Sequence, residues 1–408
     1  MSVDEKILTA LYKAGSEPVF ASQLAAQTGI SNVVLAERIE SLTKLGYVIE
    51  KHPHAGCRLL EAPDALMVDD LKARLWAMRN GECGTGNAKL KTQDSGLRTY
   101  IGETIMVFQE TSSTNDMVHR LAEEGHGEGL VVIAESQTAG RGRQGRKWIS
   151  PGGRGLWFSV LLRPNLPLES SSRLTVMATV AVATALRRST ALPLRVKWPN
   201  DILCRGRKTA GILVEIRATH SFPPPLARDE CQSWQGGDGG ATTQDRPYPP
   251  PCQGDGGGRD RKIQNRISGH ALNAEDGRIR HAALGIGIDV NLEKPDFPEE
   301  LHASATSLKM EAKKSFHRPT LFVNILRELD QARPLLSDEN FPGLIQRWAD
   351  LDETLGRQVL VRPVHGGGRP IRGLAANMDE DGALLVRTDD GRTERVMAGD
   401  IHMETEMR

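Results

Sequence analysis

At 408 residues the chain is too long for one ordinary core, and at roughly 100 to 200 residues per domain it predicts two or three. Hydrophobic residues at 39% and charged residues at 25% match soluble globular usage, and no apolar run approaches the ~18 residues of a membrane helix, so no membrane span is expected. Fifty-two basic residues cancel fifty-two acidic ones, so any anion-binding site has to be local.

The N-terminus, MSVDEKILTALYK, has no basic stretch ahead of an apolar one; a secretory signal is not expected and cytoplasm is the expected location. Cys57, Cys83, Cys204, Cys231 and Cys252 are scattered, with neither a CxxC pair nor zinc spacing, and read as free thiols. Residues 1–62 predict three helices and a hairpin. Ile7, Leu8, Leu11 and Tyr12 fall at helical spacing; a second helix stops at Gly29; Ser31 caps a third, whose Val34, Leu35, Ile39, Leu42 and Leu45 form one apolar face. Two short strands follow, an order that resembles a winged helix-turn-helix. Its charge counts against operator binding: Lys6, Lys13, Arg38, Lys44, Lys51 and Arg58 face seven acidic residues, and Glu37 and Glu40 sit on the outer side of the third helix. A homodimer that pairs two such units would combine modest affinities across half-sites.

Residues 63–98 predict one helix, Asp64 to Met78, and then a linker. A catalytic unit is expected over 99–348. Within it, residues 219–262 hold seven prolines and eight glycines among 44 residues, a composition expected to be disordered at the tip of a hairpin. Residues 349–408 read as short strands, with Asp381-Gly382 and Asp390-Gly391 as turns, and predict a small SH3-like barrel. The fold class is therefore α+β.

The chemistry lies in the middle of the chain. Thr138 to Trp148, TAGRGRQGRKW, sets three glycines among Arg141, Arg143, Arg146 and Lys147; four cations so close call for an anion, a phosphate or acyl-phosphate ligand, unless the loop is simply solvated or binds RNA. Lys197-Trp198-Pro199-Asn200-Asp201 joins two extended runs, and Gly206-Arg207-Lys208 leads into a third, so that Lys197 and Lys208 flank a turn and can converge. The Trp-Pro corner can stack a ring, and the amide and carboxylate after it can serve Mg²⁺ or a ribose.

Ser113-Thr114-Asn115, AESQTAGRGRQGRKW, GLWFSVLLRP, LRVKWPNDIL, GRKTAGILVE, LGIGIDVN and ATSL, in this order over about residues 100 to 404, resemble the biotin protein ligases. The unit ahead of them is similar to that of the bifunctional members that also repress biotin synthesis. The resemblance implies a class II synthetase-like mixed sheet with helices on one face. It implies activation of biotin by ATP to biotinyl-5′-AMP, then transfer to a lysine of the biotin carboxyl carrier protein, with Mg²⁺ as metal and no covalent enzyme nucleophile. By position, Ser113, Thr114, Asn115, Gln137, Arg141, Gly142, Arg143 and Lys208 match biotin-binding residues. Arg143, Trp148, Lys197, Asn200, Asp201 and Asp289 match the ATP side, Asp201 the metal, and Arg143, Lys197 and Lys208 the catalytic cations. Trp148 and Trp157 are expected to line the pocket.

Three departures stand out. Asp289 occupies the usual asparagine position of GIGIN, where a carboxylate repels phosphate unless a metal intervenes; Gln144 replaces a frequent third arginine; and the 219–262 insertion is unusual. The alternatives are a lipoate or octanoate ligase of the same fold, and a regulator that only senses biotinyl-AMP.

Overall fold

The computed structural model describes residues 1–52, 56–80, 101–219, 277–363 and 369–403. The Pro/Gly-rich insertion lies outside the described residues except for Thr219, as do the linker beyond Asn80 and Cys83, Cys231 and Cys252. Cys57 and Cys204 are buried free thiols.

Helix α1 (Val3–Ala14) starts at a capping box, in which the Ser2 hydroxyl accepts the Glu5 N–H and the Glu5 carboxylate accepts that of Ser2. Helix α2 (Ala21–Thr28) ends at Gly29 with φ +76°, and α3 (Asn32–Lys44) begins where Ser31 accepts the Val34 N–H. Strands β1 (Val48–His52) and β2 (Gly56–Glu61) pair antiparallel. Ile7, Leu8, Leu11, Leu24, Leu35, Ile39 and Leu42 pack as one core. The apolar face of α3 is narrower than expected: Val34 and Leu45 are 39% and 54% exposed, because α2 and β1 cover only the side that carries Leu35, Ile39 and Leu42. Three of the unit's six cations are tied up in ion pairs, Arg38 with Asp4, Lys44 with Glu40 and Arg58 with Glu50.

Helix α4 spans Val68–Asn80, starting four residues later than expected. Asp64 stays out of it because its carboxylate and its carbonyl both accept from the buried Arg318. Ala73 belongs to the small N-terminal core, Leu71 and Leu75 to the large central one, so α4 packs as a strut against both.

The large core lies under a seven-stranded sheet of β3 (Ile105–Thr111), β4 (Val131–Gln137), β5 (Leu156–Leu162), β6 (Leu194–Lys197), β7 (Asp201–Cys204), β8 (Arg207–Ala218) and β9 (Ile279–Ile288). The order is β3-β4-β5-β9-β8-β7-β6, and only β3 and β4 run parallel. Alternation along the strands sends Val131, Ile133, Phe158 and Val160 to one face, against α6 (Ser172–Thr190) and α8 (Arg318–Ala332). Val132, Leu161 and Ala283 go to the other face, against α5 (Thr114–Glu123). Helices therefore cover both faces, contrary to the one-sided arrangement expected, because the segment after β3 is itself amphipathic and seals the β4-β5-β9 end. Short helix α7 (Leu308–Ala312) follows the sheet.

After α9 (Phe341–Leu351) comes a five-stranded antiparallel sheet of β10 (Gln358–Pro363), β11 (Ile371–Met378), β12 (Leu384–Thr388), β13 (Thr393–Val396) and β14 (Gly399–Met403), in the order β13-β12-β11-β10-β14. Its Asp381-Gly382 turn docks on the central unit. The Ser172 hydroxyl donates to the Asp381 carbonyl, the Trp198 indole N–H to the Gly382 carbonyl, and a Cβ on Gly382 would lie 2.7 Å from Val176. Trp198, whose corner could stack a ring, is a buried fastener that also borders the cavity.

Candidate active site

The α5 side of the sheet opens into a cavity of about 750 Å³, and all thirteen residues singled out for the site line it. Ser113 stands at the N-cap position of α5 without a side-chain capping bond, and Thr114 and Asn115 are buried in its first turn. The Gln137 side chain, at the end of β4, fixes that turn: its carbonyl accepts the Thr114 N–H at 2.9 Å and its amide donates to the Ser150 hydroxyl at 3.0 Å. Ser159 on β5 lies 2.7 Å from the Thr114 hydroxyl and 2.6 Å from the Asn115 carbonyl oxygen. Neither serine was anticipated; the signal for Ser159 was one polar residue inside the apolar strand LWFSVLL. The GIG motif explains itself sterically. A Cβ on Gly285 would fall 2.4 Å from the Asn115 amide oxygen, and one on Gly287 2.6 Å from the Trp148 ring.

The loop cations have different partners. Arg141 is held by the carboxylates of Asp116 and Glu215, and Arg146 is paired with Asp400 of β14. Protein acids thus supply the countercharge for two of the four cations. Arg143 has no ion pair among the described residues; it donates to the Asn200 amide oxygen at 3.0 Å, and burial pushes its pKa down. Gly142 donates its N–H to the Arg146 carbonyl, which closes the loop, and Lys147 is exposed. Trp148 packs edge-on to the fully buried Trp157, which lies behind the wall and not on it. The Trp148 indole N–H is buried without a partner among the described residues, an unpaired donor on the wall of the cavity.

Lys197 ends β6 and Lys208 begins β8, with β7 between them. Burial lowers the pKa of Lys197, and the neighbouring Lys208 adds to the effect. Lys208 pairs with Asp201 at 2.7 Å and lies 5.1 Å from the centre of the Trp148 ring. The Asn200 amide donates to the Ile212 carbonyl at 2.7 Å, so the residue that orients Arg143 is itself clamped to β8. Asp289 follows β9, and both its backbone groups are bonded, to Thr209 and Leu308. Its carboxyl has no hydrogen bond among the described residues, and burial raises its pKa well above the usual carboxylate range, with Lys208 pulling the other way.

Arg362, Asp400 and His402 of the C-terminal sheet also line the cavity, none of which the sequence reading had singled out. The site therefore pairs a small polar pocket at α5 with a cationic half around Arg143, Lys197 and Lys208. That combination suits a neutral polar head group beside a polyphosphate. The Asp201 carboxylate, 2.7 Å from Lys208, fits a hard cation such as Mg²⁺, which takes one or two carboxylates and completes its shell from phosphate and water.

Residues 107–221 match the model of the Biotin/lipoate A/B protein ligase family, and residues 354–403 match that of the Biotin protein ligase C terminal domain. The second match separates biotin from lipoate. The chain thus carries a catalytic-domain match and a C-terminal-domain match, both of biotin protein ligase type. Across 96% of its length it is 28% identical to the Bifunctional ligase/repressor BirA of Bacillus subtilis (strain 168), covering 95% of that protein. It is 29% identical over 72% of its length to a biotin acetyl-CoA-carboxylase ligase of Mycobacterium tuberculosis, covering 87% of it. The biotin protein ligase of Aquifex aeolicus in complex with biotin and ATP has the same fold, with a TM-score of 0.51 at 23% identity over 74% of this chain and 99% of that one. No helix among the described residues is long and apolar enough to cross a membrane.

Proposed function

We infer that this chain is a biotin protein ligase, which activates biotin with ATP and transfers it to a lysine of a biotin carboxyl carrier protein. A carboxylate oxygen of biotin attacks the α-phosphorus, the bond to the β-phosphate oxygen breaks and pyrophosphate leaves; the neutral carrier lysine then attacks the acyl carbon, AMP leaves and the amine loses a proton. The observation that carries this reading is the one cavity in which a polar recess at α5 adjoins Arg143 and Lys197, two cations that form no ion pair among the described residues. Two anions must approach each other here, and preorganised cations offset their repulsion.

In this reading Ser113, Thr114, Asn115 and Gln137 hold the biotin head group. Gly142 and Arg143 cover the acyl-phosphate, Lys208 bridges the biotin carboxylate and the α-phosphate, and Trp148, Lys197, Asn200, Asp201 and Asp289 face ATP. Mg²⁺, when bound at Asp201, neutralises phosphate charge. Arg141 has most of its donors occupied by Asp116 and Glu215 and serves to hold the loop. The described elements support three units, a winged helix-turn-helix over 1–62, a class II synthetase-like unit over 99–348 and an SH3-like unit over 349–408, joined by residues 63–98, in a cytoplasmic protein. Pyrophosphate release tests the assignment: biotin supports it, and release with lipoate or octanoate but not biotin overturns it.

For residues 1–62 we propose weak DNA binding at most, despite the repressor function in the names of relatives. Arg38, Lys44 and Arg58 already face acids, and Glu37 and Glu40 lie on the exposed side of α3. A binder with six phosphate contacts loses about 0.9 log units of affinity per contact per log unit of salt. Adenylate-driven homodimers would add the two half-sites together. A gel shift on the biotin-synthesis promoter at low salt, with biotin and ATP, should show little retardation; tight, salt-sensitive, adenylate-dependent retardation contradicts this.

A further inference from the structure

Glu215, the acidic end of the GRKTAGILVE run, takes no part in the roles assigned above, yet it sits where two of them meet. Its Oε2 accepts from the Asn115 side-chain amide at 2.7 Å and from the Arg141 guanidinium at 2.9 Å, and its Oε1 accepts from Arg141 Nε at 3.1 Å. We propose that Glu215 is a positioning residue that couples the Asn115 amide at the biotin recess to the closed state of the Arg141 to Lys147 loop. The proposal rests on the biotin reading above and deepens it.

Each side of the connection is rigid. The Asn115 amide has one orientation, with its oxygen facing the Ser159 hydroxyl at 2.6 Å, its nitrogen facing Glu215, and Gly285 behind it too close to admit a Cβ. A ligand group that presses on this amide therefore meets the carboxylate. On the other side, four N–H bonds of Arg141 go to Glu215 and Asp116, and Asp116 is the next residue along α5 after Asn115. Arg141 bridges to Lys147 across the loop, and Gly142 to Arg146, so the loop moves with Arg141 and carries Arg143. Among the described residues only Glu215 bonds both Asn115 and Arg141 directly; of these two Asp116 grips Arg141 alone. Charge-assisted bonds of this kind are short and directional, which favours transmission over slack.

The test is a double-mutant cycle in the full-length protein, with biotin affinity read by calorimetry. Asn115→Ala, Arg141→Met and the pair are compared with Glu215 present and with Glu215→Gln, which keeps an acceptor for Asn115 and removes the charge that holds Arg141. With Glu215 the two effects should be non-additive by threefold or more; with Glu215→Gln they should combine within a factor of about two. Asp116→Asn serves as the second background and should leave the coupling intact, which separates the shared carboxylate from general loosening of the loop. Additivity with Glu215 present, or coupling that survives Glu215→Gln, overturns the proposal. An unsubstituted protein that fails to bind biotin would instead count against the functional reading on which it rests.

Discussion

Replacing Arg143 with methionine should raise the rate at which biotinyl-5′-AMP leaves the protein by about 10- to 150-fold, the kinetic equivalent of the ~1.5 to 3 kcal/mol of a charge-assisted contact. Affinity for biotin itself should change less than threefold. The difference follows from geometry. Arg143 is the buried-side loop cation with no carboxylate paired to it among the described residues, and it is aimed by Asn200, whose other amide atom is bonded to Ile212 on β8. Burial destabilises its charge, so an incoming phosphate gains a partially desolvated partner. Biotin without AMP presents no phosphate and loses only packing. Methionine keeps most of the side-chain volume and leaves the glycine-rich backbone unchanged, so the loss reports on charge. Release of the radiolabelled adenylate under chase conditions measures one rate, and calorimetry the other affinity; equal losses in both would assign Arg143 to the biotin recess instead.

Asp289→Asn should raise the melting temperature above pH ~4, by more as the pH rises and by progressively less toward pH ~4. Burial holds the Asp289 carboxyl neutral well above the usual carboxylate range, whereas in the unfolded chain it ionises near ~4. Folding then takes up a proton as pH rises above ~4, which lowers stability by at most about 1.4 kcal/mol per pH unit until the folded group also ionises. Asparagine carries no such dependence, and for a unit of this size each kcal/mol corresponds to about 2 to 4 °C. Below pH ~4 both proteins hold a neutral side chain and should melt alike. Parallel melting curves at all pH values would mean that Asp289 is charged in the folded protein, with Lys208 or a metal as its partner.

Local signals in the sequence were legible where neighbours in the chain decide the outcome. Ser31 and Gly29 bound helices as capping chemistry predicts, and the Asp-Gly turns of the last sheet carry glycines at φ +86° and +84°. The motif residues converge because strand ends do: Lys197 closes β6 and Lys208 opens β8, two elements that a single short strand separates. What escaped was set by distant partners. Asp64 looked like the first residue of a helix, but Arg318, 254 positions away, removes it from one. Val34 and Leu45 fit an apolar stripe by spacing, and only the tertiary placement of α2 and β1 shows that they stay exposed among the described residues. Glu215, Ser159 and Asp400 bond to residues 44 to 254 positions away, and no spacing in the sequence marks such contacts.

The most direct test of the whole account is the mass of a biotin carboxyl carrier domain after incubation with the full-length protein, biotin, ATP and Mg²⁺. One biotinyl group on one lysine, formed only with ATP present and abolished when that lysine is replaced by arginine, is the predicted result. An unmodified carrier domain, or one that gains a lipoyl or octanoyl group when those acids are supplied and never biotin, would contradict it.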